Sequence, residues 1–459
     1  MARPAFNQER VYHRAMRLAL SSVLALGKRT ITGMLCAGAE QFTDWSSAYR
    51  LFSQERIDRD ALFAPVKDTV MARLSEDEPL VVMMDDTTIR KRGRKIHGAA
   101  WKRDPLGPHF CTNFIWGQRF LQMSAALPEM VQTGRSRGIP IDFVHAPSAT
   151  KPRKRDSPET WEEYRQQQKM MNLSVIANQR LHKLRQTVAH KQIICAVDGG
   201  FTNQTLFRQL PNNTILIGRI RKDARLFALP DQESAPRRGR RRWYGTAFPT
   251  PEQIRQDISI PWQTVEAFAA GTRHCFEIKT LPAVRWQGTG EQTVRVVIIR
   301  PLAYRLRKGY PLLYRNPAYL LCTDPAFPIK QLLQSYLWRW EIEVNFRDEK
   351  TVFGVGQAQV RSAPSTETVP ALQVAAYAFL LLAGTAQNVA QKHLPKPVWR
   401  KQDKNNRLTT QEMLSQFRSA MWKIAINTNL THFDTKLPAR QTAFYFSNSM
   451  TSAVCYAVK

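Results

Sequence analysis

The sequence predicts an α/β fold. A helical region opens it, and a mostly β stretch separates two parts of a core. Three observations carry this prediction. Apolar residues recur at helical spacing through residues 1–75. Three short, unbroken apolar runs, Leu80–Met84, Gln192–Val197 and Tyr319–Thr323, read as buried strands. A long polar-striped helix follows the last of them, over about 328–352.

Taken in order, the helical periods fall in Val11–Leu26, Trp45–Phe52 and Ala61–Leu74. They suit a DNA-binding helical unit or a helical cap on the next domain. Leu80-Val81-Val82-Met83-Met84 ends in Asp85-Asp86-Thr87-Thr88, which sets carboxylates at the carboxyl end of a buried strand. Strand-like text follows in 109–127, then a basic loop over 133–158 that includes Lys151, Arg153, Lys154 and Arg155. Ser157-Pro158-Glu159 opens a helix of about 158–190, with Ser as cap and Pro in the first turn. The second buried run leads into Asp198-Gly199-Gly200, and a short helix and the strand Thr214–Ile220 follow. Residues 221–316 read as an inserted β-rich region, with Val294–Ile299 its clearest strand and Arg237–Arg242 a basic run. Trp243, Trp262 and Trp286 read there as core residues. Val369–Ala390 is apolar, but Gln373, Thr385, Gln387 and Asn388 interrupt it, which favours a buried core helix over a membrane span. A basic region, 396–459, ends the chain.

Charge narrows the partner. The 459 residues carry 67 Lys and Arg against 37 Asp and Glu, a net charge of +30. Such an excess repels itself unless a polyanion is at hand, so nucleic acid is favoured over an acidic membrane surface. Binding is then steeply salt-sensitive. The first ten residues lack the apolar segment of a secretion signal, and the cysteines form no CxxC pair. Both point to a reduced cytoplasmic setting. The nine histidines do not cluster along the chain, which argues against a His-rich metal site.

On the helix of 328–352, Tyr336, Arg339, Glu343, Arg347 and Lys350 fall within an arc of about 80° at helical spacing. One acid, three cations and a phenol thus share a face. Aspartates from two strand ends with a glutamate from a helix make an oxygen-only set suited to Mg²⁺ or Mn²⁺. Two such ions can clamp the attacking and leaving oxygens of a phosphodiester displacement.

Tyr336-x2-Arg339-x3-Glu343-x6-Lys350 resembles the Y-x2-R-x3-E-x6-K signature of DDE transposases from bacterial insertion sequences, in the insertion-sequence-four-like group. Asp85-Asp86-Thr87-Thr88 and Asp198-Gly199 resemble the first and second acidic motifs of that family. The resemblance implies an RNase-H-like catalytic core in two parts, 76–220 and 317–395, around a β insertion at 221–316. It implies Asp85 or Asp86, Asp198 and Glu343 as catalytic residues, with Asp85, Asp198 and Glu343 holding two Mg²⁺ or Mn²⁺ ions. Neighbouring residues of a strand point to opposite faces, so only one of Asp85 and Asp86 is expected to bind metal. Tyr336, Arg339, Arg347 and Lys350 would contact DNA. The implied activity is cleavage of terminal inverted repeats and transfer of the freed 3′-OH ends to target DNA, by a homodimer in a synaptic complex at the bacterial nucleoid. A structure-specific nuclease or resolvase without strand transfer, and an inactive DNA-binding derivative, are the rival readings.

Overall fold

A 3₁₀ turn (Arg3–Ala5) and five α-helices open the chain in the computed structural model, which describes residues 2–104, 107–108, 110–130, 134–230, 243–305, 309–386 and 407–433. The helices are α1 (Glu9–Leu24), α2 (Ile31–Ala37), α3 (Ser46–Ser53), α4 (Arg59–Leu62) and α5 (Ala64–Met71). Val11, Ala15 and Leu18 form the buried stripe of α1. Thr30 caps α2 by accepting the Gly33 N–H, and Asp58 caps α4 by accepting those of Asp60 and Ala61. There follow β1 (Leu80–Arg90), β2 (Ala100–Arg103), β3 (Phe114–Met130) and β4 (Arg135–His145), then α6 (Pro158–Met170) and α7 (Leu173–Thr187). Next come β5 (Ile193–Val197), α8 (Gln204–Phe207), β6 (Thr214–Arg219), β7 (Leu226–Phe227), α9 (Pro251–Gln256), β8 (Gln263–Ala269), β9 (Thr272–Trp286) and β10 (Thr293–Ile299). The described chain finishes with β11 (Ala303–Tyr304), β12 (Leu313–Tyr314), β13 (Ala318–Cys322), α10 (Ile329–Trp338), α11 (Trp340–Thr351), α12 (Ala363–Ala386) and α13 (Thr410–Phe433).

Eleven strands make one mixed sheet in the order β2-β3-β1-β5-β6-β13-β10-β9-β7, with β4 on β3 and β8 on β9. β1, β5 and β6 run parallel, while β3 and β13 flank them antiparallel. The unbroken apolar runs have a simple cause: these strands are covered on both faces. Val82, Met84 and Cys195 pack with Val374 and Tyr377 of α12 on one face. Val81, Met83, Ile194 and Cys322 pack with Leu332 of α10 and Ile342 of α11 on the other. This mixed α/β layout is consistent with an RNase-H-like fold. The β-rich stretch of 221–316 supplies β8, β9 and β10 to the same sheet, beside β13. α12 is long and apolar enough to cross a membrane, yet most of it is buried within the fold, as the polar interruptions predict. Trp262 and Trp286 are partly buried against the main core. Arg237–Arg242, Gln387, Asn388 and most of 396–459 lie outside the described residues.

Four elements differ from the sequence reading. β1 does not stop at Met84. Its pairing with β5 ends there, at Met84 with Val197, but pairing with β3 continues from Asp85 with Gln122 to Arg90 with Gly117. Residues 135–145 form β4 rather than loop, because Ile139, Ile141 and Phe143 bury themselves in the core. Pro140 is tolerated because β4 pairs with β3 alone, and a register shift sits beside it. The helix of 158–190 breaks at Asn172, whose side chain accepts the Ser174 N–H and starts α7; Ser157 and Pro158 begin α6 as predicted. The helix of 328–352 divides at Arg339, where the Arg339 N–H bonds to the Tyr336 carbonyl and the Ile342 N–H to the Arg339 carbonyl. That tight, 3₁₀-type turn separates α10 from α11.

The loop after α11 returns to the end of β1. Lys91 Nζ donates to the Ala358 carbonyl at 3.0 Å, and Gly356 has φ +89°. A Cβ at Gly356 would stand 2.1 Å from Ile89 Cγ2. Gly356→Ala is therefore expected to cost about 1–3 kcal/mol from backbone strain alone, with the clash in addition. Urea unfolding checks this, and a midpoint equal to that of the native chain would refute it.

Candidate active site

Where β5 stops and β1 goes on, the sheet opens a gap at the carboxyl end of its parallel strands, the usual place for a site in such sheets. Met84 pairs with Val197, so the next residues along, Asp85 and Asp198, stand side by side. Asp198 is held by its own turn: its Oδ1 accepts the N–H groups of Gly200 at 2.9 Å and Phe201 at 3.3 Å. Alternation puts Asp85 on the strand face of Val81 and Met83, which is the face that Ile342 and Phe346 of α11 cover. Glu343 lies on that helix. Arg339 joins the parts, with Nη2 2.8 Å from Glu343 Oε1 and Nη1 3.6 Å from Asp85 Oδ2. Asp86 falls on the face of Val82 and Met84. Its N–H donates to Asp85 Oδ1 at 2.8 Å.

A cleft of about 1530 Å³ surrounds these groups. Asp85, Asp86, Asp198, Glu343, Arg347 and Lys350 all line it. Arg347 is exposed and pairs with Asp348 at 2.9 Å; Lys350 Nζ lies 5.9 Å from the Phe346 ring centre. Tyr336 is not among the lining residues. Its ring packs beneath the Arg339 guanidinium, 6.0 Å away. Arg339, expected to touch DNA, bridges two carboxylates in the fold. The sequence also gave no sign of Arg119 and Lys102. Arg119 lies opposite Thr88 in the register of β1 and β3, and both cations act on Asp86. Strand alternation could have put Arg119 on a face, but not beside Asp86.

Residues 4–291 match the sequence model of a family described as DDE superfamily endonuclease, which is more than half of the chain. The chain belongs to that family. No curated protein matches it. The family implies a metal-dependent nuclease with DNA as substrate. The matched span of this DDE endonuclease contains Asp85, Asp86 and Asp198, and it ends before Glu343. The place of Glu343 in the site therefore stands on the geometry around Arg339.

Burial and neighbouring charge set the proton affinities of the site. Burial, and after it the neighbouring Asp198, push the Asp85 carboxyl up to about 7. Burial also raises Asp86, and Arg119 opposes that rise. Burial lowers Lys350 and raises the Tyr336 phenol. Acids packed together with too little positive charge resist ionisation. Superfamily members typically use divalent metals, and the residues fit one. The donors Asp85, Asp198 and Glu343 are all carboxylate oxygens, which suit Mg²⁺ or Mn²⁺. The most closely knit set of potential ligands among the described residues lies elsewhere, at His97, His145 and Glu367.

Proposed function

We propose that the protein is a DNA transposase, which binds the terminal inverted repeats of an insertion sequence, hydrolyses the phosphodiester at each end, and joins the freed 3′-OH to target DNA. The observation that carries this reading is Arg339 bridging Asp85 and Glu343 beside Asp198, in one cleft with Arg347 and Lys350. Asp85, Asp198 and Glu343 would hold the metal, Mg²⁺ or Mn²⁺, as two ions. Bound there, the ions would supply Lewis-acid polarisation of the scissile phosphodiester. Asp86, turned toward Arg119 and Lys102, orients the first motif rather than binding metal. Arg347 and Lys350 hold flanking phosphates, which positions the strand and carries no sequence information. Arg339 fixes Asp85 and Glu343 in relative position, with Tyr336 as its floor.

The helices of residues 1–75 are proposed as the end-recognition unit, and the two catalytic parts, 76–220 and 317–395, as one nuclease core around 221–316. Lys151, Arg153, Lys154 and Arg155 are exposed, and they are proposed to follow the DNA backbone outward. Two ends must meet for transposition, so a homodimer forms on DNA. The protein works where the bacterial nucleoid is.

The test uses purified protein, Mg²⁺, a labelled fragment bearing the element's terminal repeats, and a supercoiled target plasmid. Cleavage at the repeat ends followed by joined product is expected. Absence of cutting at the ends would sink the proposal. Cutting without joining would favour a nuclease or resolvase.

A further inference from the structure

A second metal site of different chemistry lies outside the catalytic cleft. We propose that His97, His145 and Glu367 bind one Zn²⁺ ion. His145 ends β4, His97 lies in the connection from β1 to β2, and Glu367 is in the first turns of α12. One ligand atom from each lies within 4.8 Å of the other two, and His145 Nδ1 is 3.4 Å from Glu367 Oε1. Ligand atoms around a tetrahedral zinc stand about 3.4 Å apart, given bonds of about 2.0–2.1 Å. Closing the set thus needs small side-chain movements and no shift of an element.

Two features beside the spacing point to a ligand there. The His145 side chain is only 2% exposed, and its Nδ1 faces Glu367 Oε1 at 3.4 Å, longer than a good hydrogen bond. Gly98 packs against that ring: a Cβ there would lie 2.1 Å from His145 Cε1, and Gly98 has φ +70°. The backbone approaches the ring as only glycine allows. Glu367 is also prepared. Arg59, the first residue of α4, holds its Oε2 at 2.8 Å and leaves Oε1 facing His145. An outer partner of this kind fixes a ligating carboxylate.

Two imidazoles and one carboxylate select a borderline-soft ion such as Zn²⁺, whereas the all-carboxylate cleft selects Mg²⁺ or Mn²⁺. Bound zinc would tie α4, the β1–β2 connection, β4 and α12 together. It takes no part in cleavage, and the proposal is independent of the transposase reading.

The full chain, stripped with a chelator, is titrated with Zn²⁺ by calorimetry in excess Mg²⁺, which fills the cleft. One Zn²⁺ per chain is expected, and binding should survive Asp198→Asn. His97 is exposed, so His97→Ala should fold normally. It should weaken zinc binding by at least about 100-fold, as should Glu367→Gln, because losing a ligand costs no less than losing an outer partner. The melting temperature should rise with Zn²⁺ in the native chain and stay flat in His97→Ala. Absence of zinc binding in excess Mg²⁺, or binding abolished by Asp198→Asn and untouched by His97→Ala, would overturn the proposal and leave His145 and Glu367 as a hydrogen-bonded pair.

Discussion

Glu343→Gln is expected to lower end cleavage by about 10³-fold or more while DNA binding stays near that of the native protein. The size follows from its proposed part. A metal-held transition state gains several kcal/mol of charge stabilisation, and each ~1.4 kcal/mol is a factor of ten in rate. Gln keeps the shape of Glu and removes the charge. The fold should barely respond. Glu343 is 36% exposed and pairs with Arg339, four residues earlier on the same chain segment. Pairs of that kind contribute only about 0.3–0.5 kcal/mol. Glu341 is the control, because it sits on the same helix and pairs with Arg407 at 2.6 Å instead. Glu341→Gln should leave cleavage intact. A labelled-end cleavage assay beside a gel-shift assay reads both quantities. Residual cutting by Glu343→Gln at a native rate would show that Glu343 holds no metal.

The three acids proposed as catalytic stood out in the sequence because each sits where a local pattern changes. Asp85 and Asp198 follow apolar runs that only a doubly covered strand explains, and Glu343 shares helical spacing with Arg339 and Lys350. The parallel register then sets Asp85 beside Asp198 with no further adjustment. Other features depend on pairing between distant segments, and no local pattern encodes that. β4 looked like a loop because Pro140 and its basic neighbours are turn-like, yet an outer strand accepts a proline. Arg119 and Lys102 reach Asp86 only through the β1–β3 and β2–β3 registers. His97, His145 and Glu367 are far apart in the chain, so counting histidine spacings pointed away from a cluster that folding assembles. The break at Arg339 was also hidden. Its backbone stays helical in φ and ψ, and only the hydrogen-bond pattern tightens.

Asp85 should make the enzyme's stability and its metal affinity change with pH in opposite directions. Its carboxyl is raised from 3.8 to about 7 in the metal-free fold, through burial first and Asp198 second. The folded chain therefore binds more protons than the unfolded chain between those values. Metal-free stability must fall as pH rises through about 4–7, by at most about 4 kcal/mol for a shift of that size. A divalent ion replaces the proton, so its affinity should climb about tenfold per pH unit up to pH ~7 and then level off. Thermal melts with and without Mg²⁺ should accordingly diverge above pH 6 and converge near pH 5. Asp85→Asn separates the two effects. The amide carries no charge to bury, so the metal-free variant should be more stable than the native chain at pH 8, insensitive to Mg²⁺, and inactive. Asp86→Asn should gain less, because Arg119 and Lys102 already oppose the rise at Asp86. Equal Mg²⁺ stabilisation at pH 5 and pH 8 would show that Asp85 keeps its charge throughout.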